Sequence, residues 1–338
     1  MPEGALLERL RTQFLKIIPY FDNLDLLAIV GQSQIGRLQY STSEHSPTPI
    51  PKQNLAELLT YVGADDLFAD LLQRYAQHSG ISGIQPKVLL REDQVRLPRL
   101  SHHAATHVVK SFDPREYPEL AANEYFCTRA AQHAGINVPV LKLSDNRRIL
   151  VAERFDLKSD GSYLGCEDVC VLNGLRAHGR YTGSYEGVAE RISQFVDLKN
   201  QRTAFEQFFA TIVLSCVIGN GDAHLKNFAV LYENSNTAVS LAPSYDLVST
   251  TLYQARDVLA LTLGGSKSFP DVKRLTAFAS TACNLTRSRA ADIFGRVEYG
   301  IQCAIADIGQ YSREHSDFAL AGAKLIAEFE TGVRRVTG

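Results

Sequence analysis

Apolar positions recur with helical spacing near the N-terminus, and the pattern then changes along the chain. Residues 4–18 and 54–77 carry apolar residues three and four positions apart, which predicts helices. Residues 26–40, LLAIVGQSQIGRLQY, favour two short strands around a glycine-containing turn. The polar, proline-containing stretch STSEHSPTPIPKQ at 41–53 is typical of a connector.

After residue 80 the pattern indicates a sheet with one inserted helix. KVLLRE, HVVKSF, VPVLKLS and RILVAERF favour strands, and PELAANEYFCTRAAQHAG favours a helix that ends at Gly135. From about Glu167 onward the spacing is mainly helical, with a buried helix in TAFEQFFATIVLSCVIG and later helices around 271–295 and 315–335. The chain therefore predicts a sheet-rich lobe, a crossover near AERFD and a helical lobe.

Composition narrows the class of protein. The chain has 338 residues, 45% hydrophobic and 21% charged, with a formal net charge of −2, which is typical of soluble globular proteins and gives no whole-chain reason to expect nucleic acid or membrane binding. The N-terminus lacks a signal peptide pattern, and no run approaches the ~20 apolar residues of a membrane span. A cytoplasmic protein is expected. Six scattered cysteines without CxxC spacing favour reduced thiols.

The most distinctive polar stretch is GNGDAHLKN, which interrupts an apolar run between CVI and FAVLY. Asp222 and Asn227 have the DxxxxN spacing with which a phosphotransferase loop directs an aspartate at the acceptor hydroxyl and an asparagine at the metal. A turn aspartate with a capping asparagine is the alternative. His224, inside the loop, favours a hydrogen-bonding role over zinc ligation, because no HExxH pattern surrounds it.

A second carboxylate follows nineteen residues after Asn227, in LAPSYDLVS. Asp246 could supply a metal-binding carboxylate, as an aspartate does after the catalytic loop of protein kinases. Mg²⁺ prefers oxygen ligands and usually takes only one or two carboxylates together with substrate phosphates. Asn227 and Asp246 would therefore suffice as the protein ligands of Mg²⁺. A helix-capping aspartate is the alternative interpretation of Asp246.

Two further charged residues lie upstream with spacing that suits nucleotide binding. Lys110 ends the β-branched run THVVK, like the phosphate-binding lysine of kinase small lobes. Glu124 follows fourteen residues later in the predicted helix, where it could pair with Lys110. A surface lysine and a surface glutamate are the alternative.

The segment SGISGIQPKVLL at 79–90 places glycines and serines directly before a strand. Glycines let backbone amides approach phosphate oxygens, and Lys87 adds a positive charge. Ser79 or Ser82 could be phosphorylated, and the added charge could move the loop out of a nucleotide site. Without the other motifs, a plain turn would be the better interpretation.

At the predicted crossover, AERFD (152–156) offers extended backbone that could bind the adenine edge, and Glu153 and Phe155 are the candidate residues.

Taken in order, these segments resemble the HipA family of bacterial serine/threonine kinases, which are toxins of toxin–antitoxin systems. The resemblance covers nearly the whole chain. The motifs that carry it are PEG at 2–4, DLLAIVGQSQIGRLQY at 25–40, SGISGIQPK at 79–87, THVVK at 106–110, NEYFCTRAAQHAGI at 123–136, AERFD at 152–156, GNGDAHLKNF at 219–228 and YDLVS at 245–249.

The resemblance implies an α+β, two-lobed, protein-kinase-like fold with an N-terminal lobe at 1–152 and a helical catalytic lobe at 153–338. It also implies ATP and Mg²⁺ as cofactors. The roles that it implies are catalysis by Asp222, Mg²⁺ binding by Asn227 and Asp246, phosphate binding by Lys110, adenine contact by Glu153 and Phe155, a nucleotide contact by His224, and a phosphate loop at 79–87 with Ser82, Gly83 and Lys87 that is also the autophosphorylation site.

Two departures from the family pattern change the expectation. Full-length members carry a small subdomain before the motif that corresponds to PEG, which here stands at 2–4. The chain therefore resembles the shorter HipT-like kinases, and a small HipS-like partner protein is expected in place of the missing subdomain. The loop also has two candidate serines, Ser79 and Ser82. Ser82 is favoured because it lies five residues before Lys87, as one HipT-like loop serine does.

The expected function is an ATP- and Mg²⁺-dependent protein serine/threonine kinase that acts as a toxin of a HipBST-like system. The resemblance implies a translation component as its substrate, in the family an aminoacyl-tRNA synthetase. It also implies a HipB-like DNA-binding antitoxin as partner, with DNA bound only through that antitoxin and no membrane partner. The alternatives are a small-molecule phosphotransferase, which would share the GDxxxxN loop, and a non-catalytic scaffold that binds an antitoxin.

Overall fold

The computed structural model describes most of the chain, namely residues 1–15, 18, 20–41, 50–61, 67–83, 85–93, 105–112 and 114–337. Within these ranges, no helix combines the length and the apolar character that crossing a membrane would need.

The chain forms two compact units, each made of two stretches: Met1–Ala122 with Val140–Cys166, and Asn123–Pro139 with Glu167–Gly338. The predicted lobe boundary at residues 152 and 153 differs from this division. A helical segment from the N-terminal half belongs to the second unit because it packs closely on a later helix of that unit. Gly300 of that later helix lies so near the backbone of Ala130 that a Cβ atom would overlap it.

Four helices and a five-stranded sheet make up the described part of the first unit. The helices are α1 (Gly4–Phe14), α2 (Asn23–Val30), α3 (Leu55–Leu59) and α4 (Leu67–Tyr75). The strands are β1 (Lys52–Gln53), β2 (Lys87–Glu92), β3 (His107–Ser111), β4 (Leu141–Leu143) and β5 (Ile149–Glu153), in the order β1-β2-β3-β5-β4. β1 runs parallel to β2, and the other pairs are antiparallel. The predicted strands after residue 80 are confirmed.

The prediction of two strands in residues 26–40 is wrong, because α2 occupies the apolar run. The Asp22 carboxylate accepts hydrogen bonds from the Leu24 and Asp25 amides at 2.7 and 3.1 Å, and the Asp25 carboxylate accepts one from the Asp22 amide. This reciprocal cap starts a helix, and Leu26 and Val30, four residues apart, are buried. A short apolar run suits either element, so the cap decided the outcome.

Other N-terminal predictions are confirmed in part. The helix predicted at 4–18 is α1, which ends at Phe14. The helical pattern at 54–77 becomes α3 and α4, and residues 62–66 between them lie outside the described residues. The predicted connector at 41–53 lies largely outside the described part, and its last two residues form β1.

The core of the first unit lies between α4 and the sheet. Val88, Leu89 and Leu90 of β2 are fully buried, and Phe68 and Tyr75 of α4 pack in the same cluster. A strand whose consecutive residues are all buried reads as a continuous apolar run. This is why KVLLRE shows no alternation.

A buried ion pair ties the end of β5 to the turn that follows α2. Arg154 and Asp156 are joined by two hydrogen bonds of 2.9 and 2.6 Å, and their side chains are only 1% and 3% exposed. Arg154 also donates to the Gln34 carbonyl, and Asp156 accepts from the Gly36 amide at 2.7 Å. The charged pair of AERFD therefore holds the turn at residues 34–36 in place.

The second unit is mainly helical. Its helices are α5 (Leu120–His133), which enters the unit at Asn123, α6 (Val169–Leu172), α7 (Tyr185–Phe195), α8 (Leu198–Ile218), α9 (Val272–Thr281), α10 (Arg287–Glu314) and α11 (Ala319–Thr337). A small sheet has the order β6 (Gly165–Asp168), β7 (Ala229–Tyr232), β8 (Ser240–Leu241). The predicted buried helix is α8, in which every residue from Phe208 to Ile218 is buried.

The buried pair of AERFD allows a test of the first unit. Asp156→Asn would leave the Arg154 charge buried without its counter-ion, so we expect a loss of about 3 kcal/mol in the free energy of unfolding, measured by urea denaturation. Asp160→Asn is the matched control because Asp160 is exposed and an asparagine keeps its turn-forming acceptor. Equal stability of the two variants would contradict this account.

Candidate functional site

The polar loop of residues 219–227 begins where the buried helix α8 ends. Gly219 caps the helix in the left-handed conformation, with φ of +66°. A Cβ atom at this position would overlap the Thr251 hydroxyl, so glycine is required on two grounds. The Gly219 carbonyl accepts hydrogen bonds from the Thr250 and Thr251 amides at 3.0 and 3.1 Å. The chain thus leaves the core at a fixed point and a fixed angle.

Hydrogen bonds within the loop fix the positions of its side chains. The Asn220 side chain accepts from the Asp222 amide at 2.9 Å, and the Asn227 side chain accepts from the His224 amide at 3.1 Å. The His224 and Asn227 amides donate to the carbonyls of Asp222 and His224. Tyr185 donates to the Ala223 carbonyl at 3.0 Å. These hydrogen bonds hold the loop in one conformation, and a functional site needs side chains that are held in this way.

The structure brings Asn227 and Asp246 together across nineteen residues of sequence. The side-chain amide of Asn227 donates from Nδ2 to the Asp246 carboxylate at 3.4 Å, at the long end of the hydrogen-bond range. Asp246 has a positive φ of +54°, an uncommon conformation that aspartate tolerates better than most residues and that clusters at functional sites. Asp246 is not a helix cap here, because no helix begins after it within residues 247–271.

The donor set of this pair suits a hard cation. A carboxylate and an amide carbonyl both offer oxygen ligands, which Mg²⁺ prefers. The Asn227 carbonyl oxygen has two lone pairs, and only one is needed for the hydrogen bond from the His224 amide. The side chains that were predicted as metal ligands are therefore adjacent and chemically suitable, and their binding of Mg²⁺ stays a prediction.

One aromatic residue from outside the loop, Tyr181, contacts it at Asp222 and His224. The Tyr181 hydroxyl donates to Asp222 Oδ1 at 2.7 Å, and the Tyr181 ring meets the His224 ring edge-on at 5.1 Å between centroids. Burial lowers the pKa of His224, which keeps its imidazole neutral at neutral pH. His224 is 8% exposed, and its Nδ1 has no hydrogen-bond partner among the described residues.

Sequence reasoning missed Tyr181. It belongs to a 3₁₀ turn, Ala177–Tyr181, and lies forty-one residues before Asp222 with no motif around it. Only the packing of the folded unit brings the two residues together.

In the first unit, two lysines predicted to bind phosphate lie side by side. Lys87 of β2 and Lys110 of β3 are register partners in the antiparallel pair, so their side chains leave the same face of the sheet. They are 6% and 5% exposed. Like charges directly opposite each other are unfavourable unless other groups compensate them. Lys110 is therefore not the surface residue of the alternative interpretation.

The glycine and serine loop meets one of these lysines. Gly83 has a φ of +126°, and a Cβ atom there would overlap the Lys87 ammonium group. Lys87 therefore folds back over the loop, and a side chain at position 83 would displace it. Ile84 lies outside the described residues.

The two candidate serines differ in their surroundings. Ser79 is fully buried, and its hydroxyl donates to the Tyr75 carbonyl at 2.7 Å and accepts from the Leu89 amide at 2.8 Å. Ser82 is half-buried. The Ser79 hydroxyl thus joins α4 to β2, while the described contacts give Ser82 no such structural part.

The remaining candidates lie near the unit boundary. Glu153 is exposed at the end of β5, where its amide donates to the Val140 carbonyl at 3.0 Å, and Phe155 is half-buried. Glu124 is 4% exposed on α5. Because Glu124 and Lys110 belong to different compact units, their pairing stays a prediction.

Comparison with known proteins identifies the family. The profile of the HipA-like C-terminal domain matches residues 79–305, more than half of the chain. The chain belongs to the HipA-like C-terminal domain family. The resemblance seen in the motifs is thereby confirmed at the level of the family, while the short HipT-like form stays a prediction.

Curated relatives of this chain are named as kinases. The chain is 29% identical over 220 residues to the protein named "Putative kinase Y4mE" of Sinorhizobium fredii, which covers 62% of this chain and 51% of that protein. It is 29% identical over 191 residues to the protein named "Putative kinase" of Haemophilus influenzae, covering 52% and 54%. The chain spans about half the length of these curated relatives.

Solved structures confirm the predicted α+β, two-lobed, kinase-like fold. A Shewanella oneidensis structure of HipA with HipB and operator DNA aligns with a TM-score of 0.69 at 19% identity, covering 100% of this chain and 86% of that chain. The Helicobacter pylori proinflammatory kinase CtkA aligns with a TM-score of 0.51 at 14% identity, covering 74% and 90%. At these identities the likeness concerns the fold.

Because Asp246 has a positive φ, two substitutions there can separate the effect of its backbone conformation from that of its charge. We expect Asp246→Ala to be less stable than Asp246→Asn by about 1 kcal/mol, because asparagine tolerates the left-handed conformation and alanine does not. Urea denaturation of both variants measures the difference. If the two variants unfold at the same denaturant concentration, the backbone conformation at Asp246 imposes no such requirement.

Proposed function

We propose that this chain is an ATP- and Mg²⁺-dependent protein serine/threonine kinase. The observation that carries the proposal is the contact between Asn227 and Asp246 at 3.4 Å, beside a rigid loop that presents Asp222. A phosphotransferase needs a carboxylate for the acceptor hydroxyl and oxygen ligands for the metal in one small region. Membership of the HipA-like family and the kinase names of the curated relatives support the same reaction class.

In this proposal Asp222 accepts the hydrogen bond of a serine or threonine hydroxyl and orients its oxygen toward the γ-phosphate. Asn227 and Asp246 would hold Mg²⁺. When bound, the ion neutralises charge on the phosphate oxygens. His224, neutral and buried with a ring nitrogen that has no partner among the described residues, is available to the nucleotide. Catalysis then consists chiefly of positioning and of electrostatic stabilisation.

The phosphates of ATP would be bound by Lys87 and Lys110. Their opposite positions on β2 and β3 concentrate two positive charges on one face of the sheet, and both ammonium groups are partly desolvated by burial. A triphosphate offers the negative charge that such a pair favours. Glu153 and Phe155 would contact the adenine where β5 ends, and Glu124 would orient Lys110.

Regulation by phosphorylation of the loop at 79–87 is the second part of the proposal. Ser82 is favoured as the modified residue because its side chain is half-buried, whereas Ser79 is fully buried and makes two hydrogen bonds. A phosphate on Ser82 would add two negative charges near Lys87 and compete with ATP for it.

The proposed cellular role extends the likeness to the HipA family. We propose a toxin that acts in the cytoplasm on a translation component, an aminoacyl-tRNA synthetase, and that is restrained by a HipB-like DNA-binding antitoxin, with a small HipS-like protein as a second partner. The solved HipA structure contains HipB and operator DNA, and that assembly is the precedent for the antitoxin. DNA would be bound only through that partner.

The kinase assignment is tested by the loss of the Asp222 carboxylate. We expect Asp222→Asn to lower phosphate transfer at least about 100-fold, because the acceptor hydroxyl loses its general base, while ATP binding is retained. Intact-mass spectrometry after incubation with ATP and Mg²⁺ measures transfer to the chain itself, and calorimetry measures ATP binding. Transfer above a tenth of the wild-type rate would rule out this role for Asp222.

The two loop serines give opposite expected results. Ser82→Ala should abolish phosphorylation of the loop and leave the stability unchanged. Ser79→Ala should leave phosphorylation possible but lower the free energy of unfolding by about 1–3 kcal/mol, because the buried Leu89 amide loses its acceptor. Peptide mass spectrometry and urea denaturation of both variants test this. Phosphate found on Ser79 in the wild type would reverse the assignment.

A further inference from the structure

Tyr181 meets the candidate catalytic carboxylate directly. Its hydroxyl donates to Asp222 Oδ1 at 2.7 Å, and its ring packs edge-on against His224 at 5.1 Å. The residue is 44% exposed, so it is only partly buried. The hydrogen bond to Asp222 is the specific contact that holds the hydroxyl.

This contact resembles the hydrogen bond that a phosphoryl-acceptor hydroxyl makes to a catalytic aspartate. In a protein kinase the catalytic aspartate accepts a hydrogen bond from the hydroxyl that receives the phosphoryl group. A phenol that donates to the same carboxylate at 2.7 Å lies within the 2.6–3.2 Å range expected for that hydroxyl. Tyr181 Oη therefore takes, at Asp222 Oδ1, the kind of hydrogen-bond position that the oxygen of an incoming serine or threonine needs.

The phenol remains a donor at physiological pH. Burial and the neighbouring Asp222 charge both raise the pKa of Tyr181 well above its usual value, because each disfavours the phenolate. The contact is thus a stable hydrogen bond from a neutral phenol to a charged group, which is stronger than a bond between two neutral groups.

The segment that carries Tyr181 is suited to movement. The turn Ala177–Tyr181 contains no buried residue, and the glycine that follows at position 183 has a φ of +113° with open space around it. A segment with few buried contacts opens at low free-energy cost. Displacing the turn would break the hydrogen bond to Asp222 and the ring contact with His224.

We propose that Tyr181 occupies the acceptor position at Asp222 and must withdraw before a substrate hydroxyl can bind. This inference rests on the proposed kinase function and adds to it an acceptor-site residue that controls access. The opposite role, in which Tyr181 positions Asp222 for catalysis, predicts the opposite kinetic effect, so the two can be separated.

The test uses Tyr181→Phe, which removes the hydroxyl and keeps the ring against His224. Tyr299→Phe, on the surface of α10 and 61% exposed, is the matched control. ADP formation is measured with ATP and Mg²⁺, first without an added acceptor and then with increasing concentrations of dephosphorylated casein. We expect Tyr181→Phe to raise the rate at limiting acceptor by about tenfold, since the incoming hydroxyl no longer competes with a charge-assisted hydrogen bond. The KM for ATP should not change. A lower rate would overturn the proposal and make Tyr181 a positioning residue.

A second measurement does not depend on activity. In protein labelled with ¹³C at the tyrosine ring carbon that bears oxygen, the signal missing from Tyr181→Phe identifies Tyr181, and its chemical shift is followed by NMR at neutral pH. We expect Asp222→Asn to change the chemical shift of Tyr181, because the phenol loses a charged hydrogen-bond acceptor. An unchanged shift would overturn the proposal, since the contact would then be absent in solution. If the shift responds but no variant forms ADP, the kinase function fails and the access role fails with it.

Discussion

The second unit depends on how the buried helix α8 ends. Four carbonyls at the end of a helix have no partner within it, and in a buried helix water cannot supply one. Here the chain reverses at Gly219, whose carbonyl accepts from two threonine amides. That exit point determines where Asp222 stands, and the hydrogen bonds of the following turn determine where Asn227 stands. The strand β7 then returns to the core, so the polar residues are held between two apolar elements.

In the first unit, too, backbone polar groups of a turn need partners, and charged side chains supply them. The turn after α2 has polar backbone groups that need partners, and the buried pair of Arg154 and Asp156 supplies them at Gln34 and Gly36. A neighbouring bridge joins Gln34 to Gly80 at the start of the glycine and serine loop. Arg154 and Asp156, two positions apart in sequence, thereby support a loop that begins more than seventy residues earlier in the chain. Each unit thus presents its candidate residues from a braced loop.

Local patterns predicted the parts of the site that are local in sequence. The GNGDAHLKN loop could be found because its polar residues interrupt an apolar run, and the strands after residue 80 could be found because their apolar runs are continuous. The run LLAIV was misassigned because five apolar residues suit either element, and the deciding cap lay just upstream in FDNLD. Tyr181 could not be found, because a contact across forty-one residues leaves no local pattern. In sequence, only its spacing to Lys87 favoured Ser82, whereas the structure separates the two serines by the burial of Ser79 and by the two hydrogen bonds of its hydroxyl.

The paired lysines of β2 and β3 link the stability of the sheet to the proposed phosphate binding. Two ammonium groups buried in register are costly to the fold unless other groups compensate their charge. A lineage selected only for a robust fold would replace one of them with an apolar residue and gain stability. On the proposed function the two lysines bind phosphates, and replacing one of them by an apolar residue would make the sheet more heat-resistant while weakening nucleotide binding.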